Sequence, residues 1–188
     1  MIQIAQFCGV CSLGMKRVNT SHPEKGIGRT RIAWREEEKT MQQKKINAKE
    51  LDIDLSSKQE TEYFKWFLAS LLFGKPIQQE VAKRTYFEFV KEGLITPVTI
   101  LKAGWDKLVE VLDHGHYVRY DFSTATKLLD VSKALKEKYG TLTELFKQAK
   151  TIDELSTRLQ EFKGVGPKTA EIFLRDIAPI LYSTKGKE

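Results

Sequence analysis

Apolar side chains recur at helical spacing from Leu55 onward, and this pattern restricts the fold more than any other feature of the sequence. The first apolar stripe steps at i, i+3, i+4, i+7 and i+8 through Phe64, Phe67, Leu68, Leu71 and Leu72. This spacing places the side chains on one face of a helix, where they can pack against a core. Similar stripes follow, and the alternation typical of strands is nearly absent. The sequence therefore predicts an all-α fold, a compact bundle of about seven or eight helices that ends in a helix–hairpin–helix motif.

Capping and turn-forming residues indicate where these helices begin and end. Ser56 or Ser57 is predicted to cap the N-terminus of the first helix, and Gly74 is predicted to end it. Gly104 is predicted to separate a short helix from the helix that follows it. Ser123 is predicted to cap the long helix after the next loop.

The positive charge of the chain is concentrated near its N-terminus. The first 50 residues carry ten Lys and Arg against five Glu, whereas the rest of the chain is nearly balanced. The net charge of +6 alone therefore does not establish that the folded part binds nucleic acid. We expect residues 1–44 to be a basic, loosely ordered extension, which either adds salt-sensitive phosphate contacts or is a solvated tail. Residues 45–188 are expected to form one helical DNA-binding domain.

Other features of the sequence exclude several classes of protein. No apolar stretch reaches the roughly 18 to 20 residues that span a bilayer, and the first residues lack the features of a secretory leader. We therefore expect a cytoplasmic monomer with no membrane partner, associated with the nucleoid if the source is a prokaryote. Cys8 and Cys11 have the spacing of half a zinc site, but the chain has no second cysteine pair. We predict no metal site and no iron–sulfur cluster.

A glycine-rich hairpin is the most specific motif in the chain. Lys163-Gly164-Val165-Gly166 joins the last two predicted helices, and Pro167 follows it. The glycines permit a tight turn, Val165 can plug into the helix pair, and Pro167 suits the first turn of a helix. The glycine amides then face outward, where they can donate hydrogen bonds to a phosphate oxygen, and the helix dipole favours the bound anion. The motif predicts sequence-independent DNA binding, and the alternative is an ordinary helix–helix turn.

The string over residues 162–175 resembles the helix–hairpin–helix of the endonuclease III (HhH-GPD) superfamily of DNA glycosylases. Lys163 stands where the family usually has a proline. Residues 71–76 resemble the first DNA-facing loop of the family, and residues 115–117 resemble a second, glycine–tyrosine turn. The resemblance covers roughly residues 55–182. It implies the helical core of that superfamily without its cluster domain.

By this resemblance Lys168 is the catalytic residue, because the family's lysine attacks the sugar C1′ of a flipped nucleotide. That attack expels the damaged base and forms a Schiff base that permits strand cleavage. A lysine attacks only as the neutral amine, and a helix N-terminus favours the neutral form. The alternative is that Lys168 is a plain cation that contacts phosphate. The family's essential aspartate has no counterpart, since Gly186 stands in its place and Asp176 lies too far along the same helix.

Further residues are assigned to DNA contacts by their place in the motif or by the resemblance. The predicted DNA-binding residues are Lys163, Gly164, Val165, Gly166, Thr169, Lys75 and Gln78. Lys75 is the candidate wedge that fills the gap left by a flipped nucleotide, and Gln78 can contact the orphan base. The alternative for both is that they are exposed polar residues on a loop.

A second cluster of residues is a candidate base pocket. It consists of His116, Tyr117, Tyr120 and Asp121. Aromatic rings stack on a flipped base, and His or Asp can read its edge. Asp121 can instead cap the helix that follows it.

The resemblance implies a DNA glycosylase of base-excision repair, with AP-lyase activity through a lysine Schiff base. Its partner is double-stranded, damaged DNA, and it requires no cofactor beyond a monovalent cation at the hairpin carbonyls. The presence of Lys168 favours an enzyme. The missing aspartate favours the alternative, a non-catalytic helix–hairpin–helix DNA-binding module. A third alternative is a helical protein-interaction domain.

Overall fold

The computed structural model describes residues 45–182, in which two short 3₁₀ helices, Ala48–Leu51 and Leu55–Ser57, precede seven α-helices. The α-helices are α1 (Glu60–Phe73), α2 (Gln79–Lys91), α3 (Pro97–His114), α4 (Asp121–Lys138), α5 (Leu142–Gln148), α6 (Ile152–Gln160) and α7 (Pro167–Tyr182). No strand occurs in this part of the chain, so the predicted all-α bundle is confirmed. The predicted extension over residues 1–44, with Cys8 and Cys11, lies outside the described residues, as does Gly186.

Helix α1 is the centre of the bundle. Its residues Trp66, Phe67, Leu68 and Ala69 are fully buried at successive positions, so the helix is covered on every side. It packs against α2, α5 and α7. Trp66 Nε1 donates a hydrogen bond to the Phe173 carbonyl at 3.0 Å, which satisfies a buried donor and joins α1 to α7. This contact helps to fix α7, the helix that follows the hairpin.

The beginning of α1 also caps another helix. The Glu60 carboxylate accepts hydrogen bonds from the amides of Leu142 and Thr143 at 2.7 and 2.9 Å. It accepts a third, at 2.7 Å, from the Thr143 hydroxyl. A carboxylate at a helix N-terminus satisfies free amides and interacts favourably with the helix dipole. This contact holds α5 against α1.

Helix α3 is divided at Gly104, as the sequence predicts. Gly104 has φ 77° and ψ 176°, so the two halves of α3 are separate helical segments. The first segment begins with a capping box, in which the side chains of Thr96 and Thr99 each accept a hydrogen bond from the other's backbone amide.

Two predicted helix starts are wrong. Helix α1 is preceded by Gln59, while Ser56 and Ser57 belong to a 3₁₀ helix whose first turn is held by Asp54, which accepts from the Ser56 amide. Helix α4 begins at Asp121, and the Ser123 hydroxyl donates back to the Tyr120 carbonyl instead of accepting an amide. In both places the helix has no side-chain cap hydrogen bond, and the nearby aspartate binds a different backbone amide, that of Ser56 or of Phe122.

Candidate nucleic-acid interface

The predicted hairpin joins α6 to α7 and is anchored by Val165. Val165 is 5% exposed, and its backbone amide donates to the Phe162 carbonyl at 3.0 Å. Phe162 is also buried, and its ring meets the Tyr139 ring edge-on with 6.0 Å between centroids. Val165 therefore plugs into the core, and its buried side chain and bonded amide offer no contact to DNA, contrary to its prediction as a DNA-binding residue. Phe162 holds the hairpin to the end of α4.

The backbone amides of the hairpin are available to an anion. Those of Gly164, Gly166 and Lys168 have no hydrogen-bond acceptor within residues 45–182. Gly164 has φ 104°, a conformation that favours glycine. Pro167 begins α7, where its missing N–H removes no hydrogen bond. Free amides at the start of a helix are suited to a phosphate oxygen.

A cavity of about 170 Å³ lies beside the hairpin. Its wall is formed by the hairpin with the start of α7, the end of α1 with the loop after it, and one face of α4. The lining residues are Leu71, Gly74, Lys75, Thr124, Lys127, Leu128, Gly164, Gly166, Pro167, Lys168 and Thr169. Three of them are lysines, and none of these described residues is acidic.

Lys127 on α4 is a half-buried lysine of this cavity, and the sequence analysis missed it. Burial, and secondly the adjacent Lys75, lower the pKa of Lys127 to about 8. Protonation of Lys127 is unfavourable because its ammonium would be partly desolvated and would lie beside the side chain of Lys75. The lowered pKa therefore increases the fraction of neutral Lys127 amine near neutral pH.

The predicted nucleophile, Lys168, lines the cavity but is mostly exposed. Its side chain is 61% exposed, and Nζ lies 3.0 Å from Glu171 Oε2. This ion pair lowers the pKa of the Glu171 carboxyl. Lys163 is more exposed still and lies 3.5 Å from Asp130. Both lysines are therefore accessible from solvent.

Asp176 does not replace the family's aspartate. Its carboxylate accepts a hydrogen bond from the Ala48 amide at 2.8 Å and lies 3.0 Å from Arg175 Nε. These contacts join α7 to the first 3₁₀ helix, and Asp176 is not among the residues that line the cavity.

Lys75 connects the cavity to one residue of the predicted base pocket. Its Nζ lies 5.5 Å from the ring centroid of Tyr120, and the Arg119 guanidinium lies 5.4 Å from the same ring. Both distances fit cation–π contacts. Gln78 is exposed as the residue before α2 and is not part of the cavity wall.

The four residues predicted for the base pocket do not line the cavity. Tyr117 is a core residue, contrary to the prediction, because its ring is fully buried and its hydroxyl donates to the Leu72 carbonyl at 2.7 Å. His116 is exposed with a left-handed φ of 62°. Asp121 is the first residue of α4 and accepts from the Phe122 amide at 2.6 Å, whereas the N-cap is Tyr120, so the alternative that Asp121 caps the helix is not confirmed.

Thr169 and Thr124 contribute buried hydroxyl-bearing side chains to the cavity wall. Thr169 is packed so closely against Gly74 that a β-carbon added at Gly74 would lie 2.1 Å from Thr169 Oγ1. The Thr169 side chain is therefore buried and does not lie on the exposed side of the hairpin. The buried Thr124 Oγ1 makes no hydrogen bond within the described residues. It lies near the Tyr117 hydroxyl, whose pKa is raised by burial and lowered in part by Thr124.

The spacing of apolar residues along α4 is the feature of the sequence that points to Lys127. Thr124, Leu128 and Val131 on α4 are buried, and position 127 is three residues after the first and four before the last. A lysine at the edge of a buried stripe must reach across apolar surface with its methylene groups. Only the tertiary structure shows that it meets Lys75 and the hairpin.

The monovalent cation implied by the resemblance stays a prediction. The carbonyls of Phe162 and Gly166 each accept one backbone hydrogen bond. Among residues 45–182, no three His, Cys, Asp or Glu side chains come together as a metal site.

Comparisons with models of known families, with curated proteins and with solved structures find no match for this chain. The resemblance to the endonuclease III superfamily thus rests on the residues quoted above. None of the helices in the described part of the chain has the length and apolar character needed to cross a membrane.

Proposed function

We propose that this protein binds double-stranded DNA through the hairpin and acts in base-excision repair by lysine Schiff-base chemistry. The supporting observation is the lysine-lined cavity beside three free amides of the hairpin, those of Gly164, Gly166 and Lys168. The amides are suited to the phosphate backbone, and the cavity lies where a sugar displaced from that backbone can enter. The resemblance implies the reaction class of a DNA glycosylase with AP-lyase activity, and the cavity favours the lyase part.

The size of the cavity favours an abasic sugar as substrate. Its volume of about 170 Å³ is equivalent to roughly five or six water molecules. Pockets for drug-sized ligands are larger, at about 300 to 1,000 Å³. A ring-opened deoxyribose therefore suits this cavity better than a sugar with its base attached. Lyase activity on abasic sites is accordingly the part of the proposal that the geometry supports best.

The absence of acidic lining residues also favours lyase chemistry over hydrolysis of the glycosidic bond. Among the described residues, no carboxylate lines the cavity to stabilise a sugar cation or to activate water. An amine needs neither function to condense with an aldehyde, because nucleophilic attack forms the covalent intermediate directly. We expect strong activity on abasic sites and weak or no base release.

Borohydride trapping tests this proposal. The protein is incubated with matched duplexes that contain an abasic site, uracil, 8-oxoguanine or a methylated purine, and an undamaged duplex is the control. We expect a covalent adduct with the abasic duplex, formed less at high salt because phosphate contacts are screened. No adduct with any of these duplexes, despite salt-dependent binding, would contradict the enzymatic part of the proposal.

That negative result would instead support the second candidate, a non-catalytic DNA-binding module. One observation favours this candidate: the predicted nucleophile Lys168 is mostly exposed and forms an ion pair with Glu171 at 3.0 Å. A module of this kind uses the same free amides, so it predicts binding without chemistry. No binding at all would contradict both candidates.

A further inference from the structure

The two lysines that face the cavity from α4 and α7 differ in their surroundings. Lys168 is mostly exposed, and its Nζ is paired with the Glu171 carboxylate at 3.0 Å. Lys127 is half-buried in the cavity wall and has no carboxylate partner within the described residues. Nucleophilic attack requires the neutral amine, and the half-buried position of Lys127 beside Lys75 favours that form.

The side chain of Lys127 is also held in place. Its methylene groups pack against Gly164 of the hairpin, and the neighbouring residue Leu128 is buried in the same wall. Packed methylene groups restrict the positions of the amine, whereas an exposed lysine samples many rotamers. A held amine can be presented to a reacting carbon in one orientation.

We propose that Lys127, rather than Lys168, is the catalytic amine that attacks C1′ of an abasic site in DNA. This assignment rests on the proposed function and names the reacting residue within it. The charged groups that face Lys127 are Lys75 from the loop after α1 and Lys168 from the start of α7. In this assignment the role of Lys168 is to contact a DNA phosphate next to the free amides of the hairpin.

The first half of the reaction forms the Schiff base. The neutral Lys127 amine adds to C1′ of the ring-opened sugar aldehyde, and an amine proton moves to the carbonyl oxygen to give a carbinolamine. A proton from the Lys75 ammonium lets the hydroxyl leave as water, and the C1′–N bond becomes an iminium. Lys75 is suited to this role because its side chain interacts directly with that of Lys127.

The second half breaks the DNA strand. The Lys75 amine, neutral after the first half, removes a proton from C2′, and the electron pair forms the C1′–C2′–C3′ conjugated system. The C3′–O bond breaks, and the strand on the 3′ side of the site leaves with a phosphate at its 5′ end. Water then hydrolyses the iminium, which frees the Lys127 amine and an unsaturated sugar aldehyde. Protons and electrons balance without an oxidant, a reductant or a metal.

Mapping of the trapped adduct distinguishes the two lysines. The full chain is reacted with an abasic duplex and borohydride, digested, and the modified lysine is located by mass spectrometry. We expect the sugar remnant on Lys127 of the unmodified protein, a measurement that needs no variant to fold. A remnant on Lys168 would overturn this assignment and leave the proposed function standing, whereas no remnant on any lysine would overturn both.

Variants give a second, quantitative test. We expect Lys127→Met to lower adduct formation by about 100-fold or more, with duplex affinity changed less than about threefold and an unchanged circular dichroism spectrum. Lys168→Met should weaken duplex binding, and its remaining adduct should still map to Lys127. Lys133→Met, on the exposed side of α4, is the matched control and should behave as the unmodified protein. Full adduct formation by a folded Lys127→Met would overturn the assignment.

Discussion

The methylene chain of Lys127 packs directly against Gly164, so that a β-carbon at Gly164 would lie 2.7 Å from Lys127 Cγ and 2.9 Å from Cδ. This contact joins the cavity wall formed by α4 to the hairpin between α6 and α7. The glycine thus has two roles, because its φ of 104° closes the turn and its missing side chain admits the lysine.

The two glycines of the hairpin should respond differently to the same substitution. Gly164→Ala combines an unfavourable φ with a close contact, and we expect it to lower the free energy of unfolding by about 1 to 3 kcal/mol. Gly166 has open space at its β-carbon position, so Gly166→Ala should fold with nearly unchanged stability. If a phosphate approaches the Gly166 amide, the added methyl group should still weaken duplex binding. Urea denaturation and a binding titration measure these effects, and equal destabilisation by both substitutions would contradict them.

The hairpin was predictable because its signals are local. The glycine pair, Val165 and Pro167 specify a turn within a few residues, and the structure places Val165 in the core as expected. The role of Lys127 was not predictable in the same way, since it depends on contacts with Lys75 and Gly164, which are distant in sequence.

Tyr117 illustrates the opposite error. A tyrosine next to a glycine and a histidine matches a base-binding pattern. The same sequence is equally compatible with a buried tyrosine, and in the structure the Tyr117 hydroxyl donates to the Leu72 carbonyl at the end of a helix. Ser56 and Ser123 similarly carry the composition of a helix cap, while Asp54 and Asp121 take the backbone amides. A serine near a helix start forms a cap only where its hydroxyl reaches a free amide of the first turn, and composition does not record that geometry.

Tyr117→Phe tests the reassignment of this residue to the core. The variant loses the 2.7 Å hydrogen bond to the Leu72 carbonyl, so we expect a loss of about 1 to 2 kcal/mol in the free energy of unfolding. Because the ring lines no cavity wall near the hairpin, duplex affinity and adduct formation should not change. A change in preference among damaged duplexes, with stability intact, would restore Tyr117 to the base pocket.

The close approach of α1 to α7 gives a double-mutant prediction. Gly74 has an ordinary helical φ of −70°, so the only obstacle to Gly74→Ala is steric, chiefly the Thr169 hydroxyl 2.1 Å from the new β-carbon. We expect the single substitution to cost about 1 to 3 kcal/mol of stability by overpacking. Thr169→Ala should relieve part of that cost, so the combined loss in Gly74→Ala/Thr169→Ala should be smaller than the sum of the single losses. Additive losses in thermal denaturation would show that the two helices move apart independently of Thr169.

The lowered pKa of Lys127 predicts how stability depends on pH. Burial, followed by the adjacent Lys75, lowers this pKa from 10.5 to about 8, so the folded protein holds an unfavourable charge at lower pH. Between about pH 8 and 10.5 the unfolded chain binds more protons than the folded protein, and the stability contribution of Lys127 rises with pH. Lys127→Met removes the charge and should be more stable below about pH 8, by about 1 kcal/mol after solvent screening. This advantage should shrink as the pH approaches 10.5.

Lys133→Met, exposed on the same helix, should show no such trend in urea denaturation. A difference between Lys127→Met and the unmodified protein that stays constant across this window would mean that Lys127 titrates normally, and the neutral amine required for attack at C1′ would then be scarce.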